Sequence, residues 1–336
     1  MDRQVINLLE NESWVLDGSQ ETNRALDEIL AYQLTRLNYP ERAAATIKMM
    51  EAMQRASWYQ DGVDTSEKVV IAETFSLLLK TQKGYGNPAT GQPRLTFLQN
   101  YDWPALLSLA LENRSFATHI TSTGREIAIL AAGTPGLESR GIDALRIAER
   151  YLPDVEKLVG ELQAGSVLVV VEPETTANER DVCGFAVEEI SLTHVEADCG
   201  SLETTVVHEL VHLSTPQVFS TWFEEGTAYW AAALIRPATA ASAFLLSGFA
   251  TATFPSDRGP TSIEDYDRHS QAGFAFYLEL AGIIGPSAVS EHIKGIAAKS
   301  SGPRVIESAW KVTPAEKQAE VRALFERRCQ GCTLPH

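Results

Sequence analysis

His208, Glu209 and His212 stand in the run His-Glu-Leu-Val-His, and Trp222-Phe223-Glu224-Glu225-Gly226 comes after a short connection. On a helix, residues four apart lie one turn above each other, so the two imidazoles can offer nitrogens to one metal ion. Glu209 then lies beside that ion without having to ligate it, where a general base acting on water belongs. Two imidazoles leave a catalytic zinc one protein ligand short of its usual three. A carboxylate from the second cluster can complete the set. This is the outline of a zinc hydrolase.

The pentapeptide alone is a modest signal. With 7 His in 336 residues, about one such chain in a hundred would carry it by accident. Its surroundings sharpen it: Thr204 to Val207 and Leu210, Val211 and Leu213 are apolar or β-branched and predict a buried helix. Imidazoles on a buried helix need partners, and a metal is a natural one.

The second cluster fits a capping box, with Thr221 as N-cap and Glu224 reaching back to its amide. That gives Glu224 a structural task and leaves Glu225, rotated by about 100°, free to face the metal. Gly226 is expected to let this helix approach the His helix closely. The segment from Thr227 to Ile235 continues a second buried helix, ended at Pro237. The short connection from Leu213 to Ser220 favours antiparallel neighbours.

These two runs resemble the gluzincin group of zinc metallopeptidases, and the spacing from the second His to the Glu is most similar to compact peptidase MA-like domains. The resemblance spans roughly residues 115 to 300. It implies one Zn2+ per chain on His208, His212 and Glu225, with Glu209 as general base. The metzincin pattern is excluded, because Thr215 and Val218 stand where it needs Gly and His. The resemblance also implies a Tyr or His from a helical lobe as hydrogen-bond donor to the developing oxyanion. Tyr266 and His269 are the candidates, expected just before a helix starting near Ser270.

Net charge of −16 and the absence of a basic run argue against a nucleic-acid partner. Hydrophobic content of 44% and charged content of 21% are those of a globular protein. The most apolar run, 241–254, is too short to span a bilayer. The polar start Met1-Asp2-Arg3-Gln4 predicts no signal peptide in this chain. Cys183 with Cys199 can pair as a disulfide or stay as two buried thiols, and Cys329 with Cys332 can close a short disulfide loop or lie in a loose tail. Two such local pairs would lean towards secreted, periplasmic or ectodomain placement, with the cytoplasm still open. Oligomeric state is not legible.

Along the chain, residues 1–113 have helical periodicity and form an all-helical N-terminal region of unassigned role. Strands are expected at 116–120, 126–130 and 166–171, a helix at 141–162, and one period-two strand from Val187 to Val195. His194 falls on the solvent face of that strand, and His119 and His292 are read as ordinary surface or core residues. Helices are expected at 270–284, 286–298, 303–311 and 314–329. The fold class is therefore α+β: a zincin-like domain over 114–336, with a sheet lobe at 114–200, zinc helices at 201–236 and a helical lobe at 237–336. By the resemblance, the last strand before the zinc helix is an edge that pairs with an extended peptide.

The leading expectation is a zinc-dependent peptidase acting on a peptide or protein substrate. Two alternatives stay open: an inactive peptidase fold kept for binding or structure, and a zinc hydrolase of a non-peptide amide or ester. Retention of Glu209 beside three ligands speaks against the first.

Overall fold

The computed structural model describes residues 115–162, 166–173, 183–187, 192–197, 201–215, 218, 220–236, 252–255, 263–296 and 300–332. The expected helical region over 1–113 and the apolar run 241–251 lie outside them. The described residues form a mixed α+β fold with a small sheet and mostly helices.

The chain divides into two compact units. Among the described residues, the first holds 115–149, 166–173 and Leu192, and the second holds 150–162, 183–187, 193–197 and those from 201 on.

In the first unit, β1 (Phe116–Ile120) runs antiparallel to β2 (Glu126–Gly133), with Phe116 opposite Leu130. The turn between them closes on Thr121, whose carbonyl accepts from the Gly124 amide and whose hydroxyl accepts from the Arg125 amide. Gly124 sits at φ 84°, a conformation that favours glycine there. β2 pairs in parallel with β3 (Ser166–Glu172), Ala128 lying opposite Ser166. Ile127–Ala131 and Val167–Val171 are fully buried, which matches uninterrupted apolar runs covered on both faces.

Helix α1 (Glu138–Val159) begins before the expected Gly141 and ends before the expected Leu162. Its buried stripe runs through Ala144, Ala148, Leu152, Val155 and Val159 at helical spacing. Gly160, at φ 121°, stops it by donating its amide to the Glu156 carbonyl.

The second unit corrects one strand. Instead of a single strand from Val187 to Val195, β4 (Gly184–Val187) and β5 (Leu192–Glu196) are separate strands lying side by side, β4 outermost. Period two described the buried Thr193 and Val195 but could not register a break in the segment before them. The edge therefore belongs to β4, and β4 packs on the next helix, α2 (Leu202–Ser214). The side chain of His194 lies outside the described residues.

Helix α2 is capped by Ser201, whose hydroxyl accepts from the Thr204 amide. It lies against α3 (Thr221–Ile235), and α3 packs most extensively on α4 (Ile263–Ile284). The remaining helices are α5 (Pro286–Lys294), α6 (Gly302–Lys311) and α7 (Gln318–Arg328), with a 3-10 turn at Ala315–Lys317. Two-residue strands β6 (Phe254–Pro255) and β7 (Cys329–Gln330) pair in parallel.

Gly226 does permit a close approach, but to a different helix from the one expected. A Cβ at Gly226 would sit 2.6 Å from the Gly273 backbone of α4. Gly273 in turn abuts the Trp222 carbonyl, so two glycines from distant segments face each other at the α3–α4 crossing. Behind it, Trp222 stacks on Phe254 at 4.1 Å and meets Phe276 edge-on at 5.6 Å.

Cys329 and Cys332 form a disulfide, Cα atoms 5.7 Å apart. Cys183 is also disulfide-bonded; its expected partner, Cys199, lies outside the described residues. Among the described residues, no helix is long and apolar enough to cross a membrane.

Candidate metal centre

Helix α2 positions His208 and His212 by its own geometry. Residues four apart share a face, and the apolar residues around them bury that face. The two Nε2 atoms end up 3.1 Å apart. Helix α3 brings Glu225 to the same point: Oε2 lies 3.3 Å from Nε2 of His208, and Oε1 lies 3.6 Å from Nε2 of His212. Among the described residues, these three form the group that could hold a metal ion.

The spacing can be tested against a metal's needs. Bonds of about 2.0–2.1 Å arranged tetrahedrally put ligand atoms about 3.3–3.5 Å apart. Distances of 3.1, 3.3 and 3.6 Å bracket that value. Two imidazole nitrogens and a carboxylate converging in a buried space are also a donor set suited to zinc. The residues fit the ion.

Charge in the cluster is mutual. Burial pushes the Glu225 carboxyl up, but the His212 charge and the hydrogen bond from His208 outweigh it and hold the group at about 2. Burial alone would lower His208; its bond to Glu225 and the charges of Glu209 and Glu225 outweigh that and raise it. Glu209 is itself only 3% exposed, one residue from His208.

The expected capping box does not form. Ser220, not Thr221, is the N-cap of α3, and its side chain makes no capping bond. Glu224 accepts instead from the Val218 amide at 3.3 Å, in the segment before the helix. Its role is still local and structural, and Glu225 is the carboxylate that meets the imidazoles.

Helix α4 begins at Ile263, so Tyr266 and His269 lie inside its first two turns rather than ahead of it. The acidic residues Glu264 and Asp265 start the helix in the favourable N-terminal field. Tyr266 reaches the cluster: its hydroxyl donates to Oε1 of Glu225. His269 is 1% exposed and faces Asp265 on its own helix, Nε2 to Oδ1 3.6 Å. Tyr266 is thus bonded to a member of the cluster.

One residue at the cluster escaped sequence reasoning. Tyr229 lies one turn after Glu225 on α3, and its ring packs edge-on against His208, centroids 4.4 Å apart at 61°. Burial chiefly, then the charges of Glu225, Glu209 and Asp267, push its phenol well above the usual range. The four-residue interval from Glu225 would have placed it on this face. Of the other histidines, His119 is on β1 and half-buried. His292 is sealed in the core between the Tyr277 and Ser308 hydroxyls, and burial holds it neutral, at about 3.

No family model matches the chain, and neither does any curated protein. Solved structures similar to it include an M1 zinc metallopeptidase from Deinococcus radiodurans, at 17% identity and TM-score 0.47, covering 66% of this chain and 52% of that one. Yeast LTA4 hydrolase is similar at 16% identity and TM-score 0.47, covering 66% of this chain and 40% of the other. Legionella pneumophila aminopeptidase A is similar at 17% and TM-score 0.47, covering 63% and 27%. The chain thus spans about half or less of each one's length. At TM-scores below 0.5, these likenesses leave its chemistry to be read from its own residues.

Proposed function

We propose that the protein is a zinc-dependent peptidase whose centre is His208, His212 and Glu225. The observation that carries this reading is the convergence of their donor atoms at 3.1 to 3.6 Å, with Glu209 buried beside them. A zinc ion held there supplies Lewis acidity and brings the pKa of water down towards about 7.

The chain's own groups do the rest. Glu209 takes a proton from the attacking water and returns it to the leaving amine. Tyr266, whose single O–H donates to Glu225 before substrate binds, turns that O–H to the oxyanion that develops on the substrate carbonyl. His269, packed on Asp265, holds the first turns of α4 in place for that purpose. The substrate is a peptide or protein. The Cys329–Cys332 disulfide and the bonded state of Cys183 support an oxidising compartment as the place of action.

The direct test is elemental analysis of the purified chain with peptide hydrolysis measured in parallel. The expected result is about one zinc per chain, with hydrolysis lost on chelation and regained on adding zinc. Protein free of bound zinc and unable to take it up would refute the reading.

Tyr266 and His269 separate in one experiment. Tyr266→Phe is expected to lower kcat by about 10²–10³, the cost of one oxyanion donor. Because its hydroxyl also holds Glu225, zinc affinity should fall with it. His269→Ala is expected to lower the melting temperature while leaving most of kcat. An unchanged kcat in Tyr266→Phe would remove Tyr266 from the mechanism.

A further inference from the structure

Metal-binding histidines usually donate their second ring nitrogen to a carboxylate, a carbonyl or water, and this bond sets the plane of the ring. The Nε2 of His208 faces His212 and Glu225, and among the described residues no group accepts from its Nδ1. What lies against the ring is Tyr229, edge-on, centroids 4.4 Å apart.

Three features make Tyr229 a fixed wall. It stands on α3 one turn after Glu225, so the same helix that delivers the carboxylate delivers the ring. It also meets Phe274 of α4, centroids 6.1 Å apart and tilted by 52°. Its hydroxyl makes no hydrogen bond to a described residue, so the ring face and edge are what the protein uses. His208 in turn meets the rings of both His212 and Tyr229, at 4.8 and 4.4 Å, which restricts rotation about its second side-chain torsion.

We propose that Tyr229 is a positioning residue of the metal centre, its ring holding the His208 imidazole in the plane that a hydrogen-bond acceptor sets at most metal histidines. This inference rests on the reading of His208, His212 and Glu225 as ligands. It adds a residue that acts through His208 and not on the substrate. The α3 helix then carries two functions on one face, the ligand Glu225 and, one turn on, the brace for the ligand of the neighbouring helix.

The test uses the full chain with zinc and cobalt(II) as probes. Zinc affinity is measured by competition with a chromophoric chelator, and the visible bands of the cobalt form report ligand geometry. Tyr229→Leu is expected to weaken zinc by about 10–100-fold, the usual cost of losing a partner behind a ligand, and to shift the cobalt bands. Tyr229→Phe, which keeps the ring, is expected to retain the parental affinity and spectrum. Phe274→Leu, one ring further out, is expected to loosen Tyr229 and to move the cobalt bands in the same direction as Tyr229→Leu, but by less. Should the leucine variant not fold, Tyr229→Met gives the same comparison. Parental affinity and bands in Tyr229→Leu would overturn the proposal. So would an equal loss in Tyr229→Phe, since the hydroxyl and not the ring would then be the active part. Failure of the unsubstituted protein to bind zinc would instead remove the function proposed above, so the two failures are distinct.

Discussion

Glu209→Gln is expected to keep the full zinc content and lose peptide hydrolysis by about 10²–10⁴-fold, the worth of a positioned general base. Glutamine is nearly isosteric, so the buried position beside His208 is refilled without a cavity. It cannot accept the proton of the attacking water. The substitution also removes one of the charges that raise His208. In the metal-free variant, His208 should therefore titrate closer to the ordinary imidazole value. Zinc content, melting temperature and hydrolysis measured on one preparation decide the matter. Hydrolysis at the parental rate in a fully zinc-loaded variant would show that another group is the base.

Glu225→Ala carries the other large effect. Removing one of three ligands is expected to bring zinc after gel filtration well below the parental content, whereas Glu224→Ala should leave it unchanged. Glu224 accepts from the Val218 amide, whereas Glu225 is the carboxylate grouped with the imidazoles. Its loss should cost about 0.5–2 kcal/mol of stability, as for other side chains at helix starts. The reverse outcome, zinc lost with Glu224 and kept with Glu225, would overturn the ligand assignment.

Acid should reproduce the ligand effect. Zinc requires neutral imidazoles, and the His208 pKa of the metal-free protein lies above 6.5. Protons therefore begin to compete for the site above pH 6.5, and zinc affinity falls as the pH is lowered. The metal-free protein has a separate signature. Glu225 is held at about 2 against an ordinary 4.5, so it contributes stability above pH 4.5 that is lost as the pH falls towards 2. His208, raised, contributes stability below 6.5 that is lost as the pH rises through its folded value. Glu225→Ala should flatten both limbs.

What the amino-acid sequence determines by itself is what local geometry carries. His208, Glu209 and His212 take their relative places from one helical turn, and the apolar residues between them bury the face they share. The strands expected at 116–120, 126–130 and 166–171 were legible because of their local residue pattern, although the structure extends the second to Gly133 and the third to Glu172. The ends of elements were less so. The break between β4 and β5, the start of α4 at Ile263 and the cap at Ser220 depend on which neighbours supply hydrogen bonds. Only the tertiary structure decided the contacts across elements. It paired Gly226 with Gly273 of α4 and not with the His helix. It turned Tyr266 onto Glu225 and His269 onto Asp265, two residues three apart with different fates. It set Tyr229 against His208. No spacing along the chain encodes these partners, because helix packing fixes the distances between side chains from separate helices, and packing is a property of the whole assembled core.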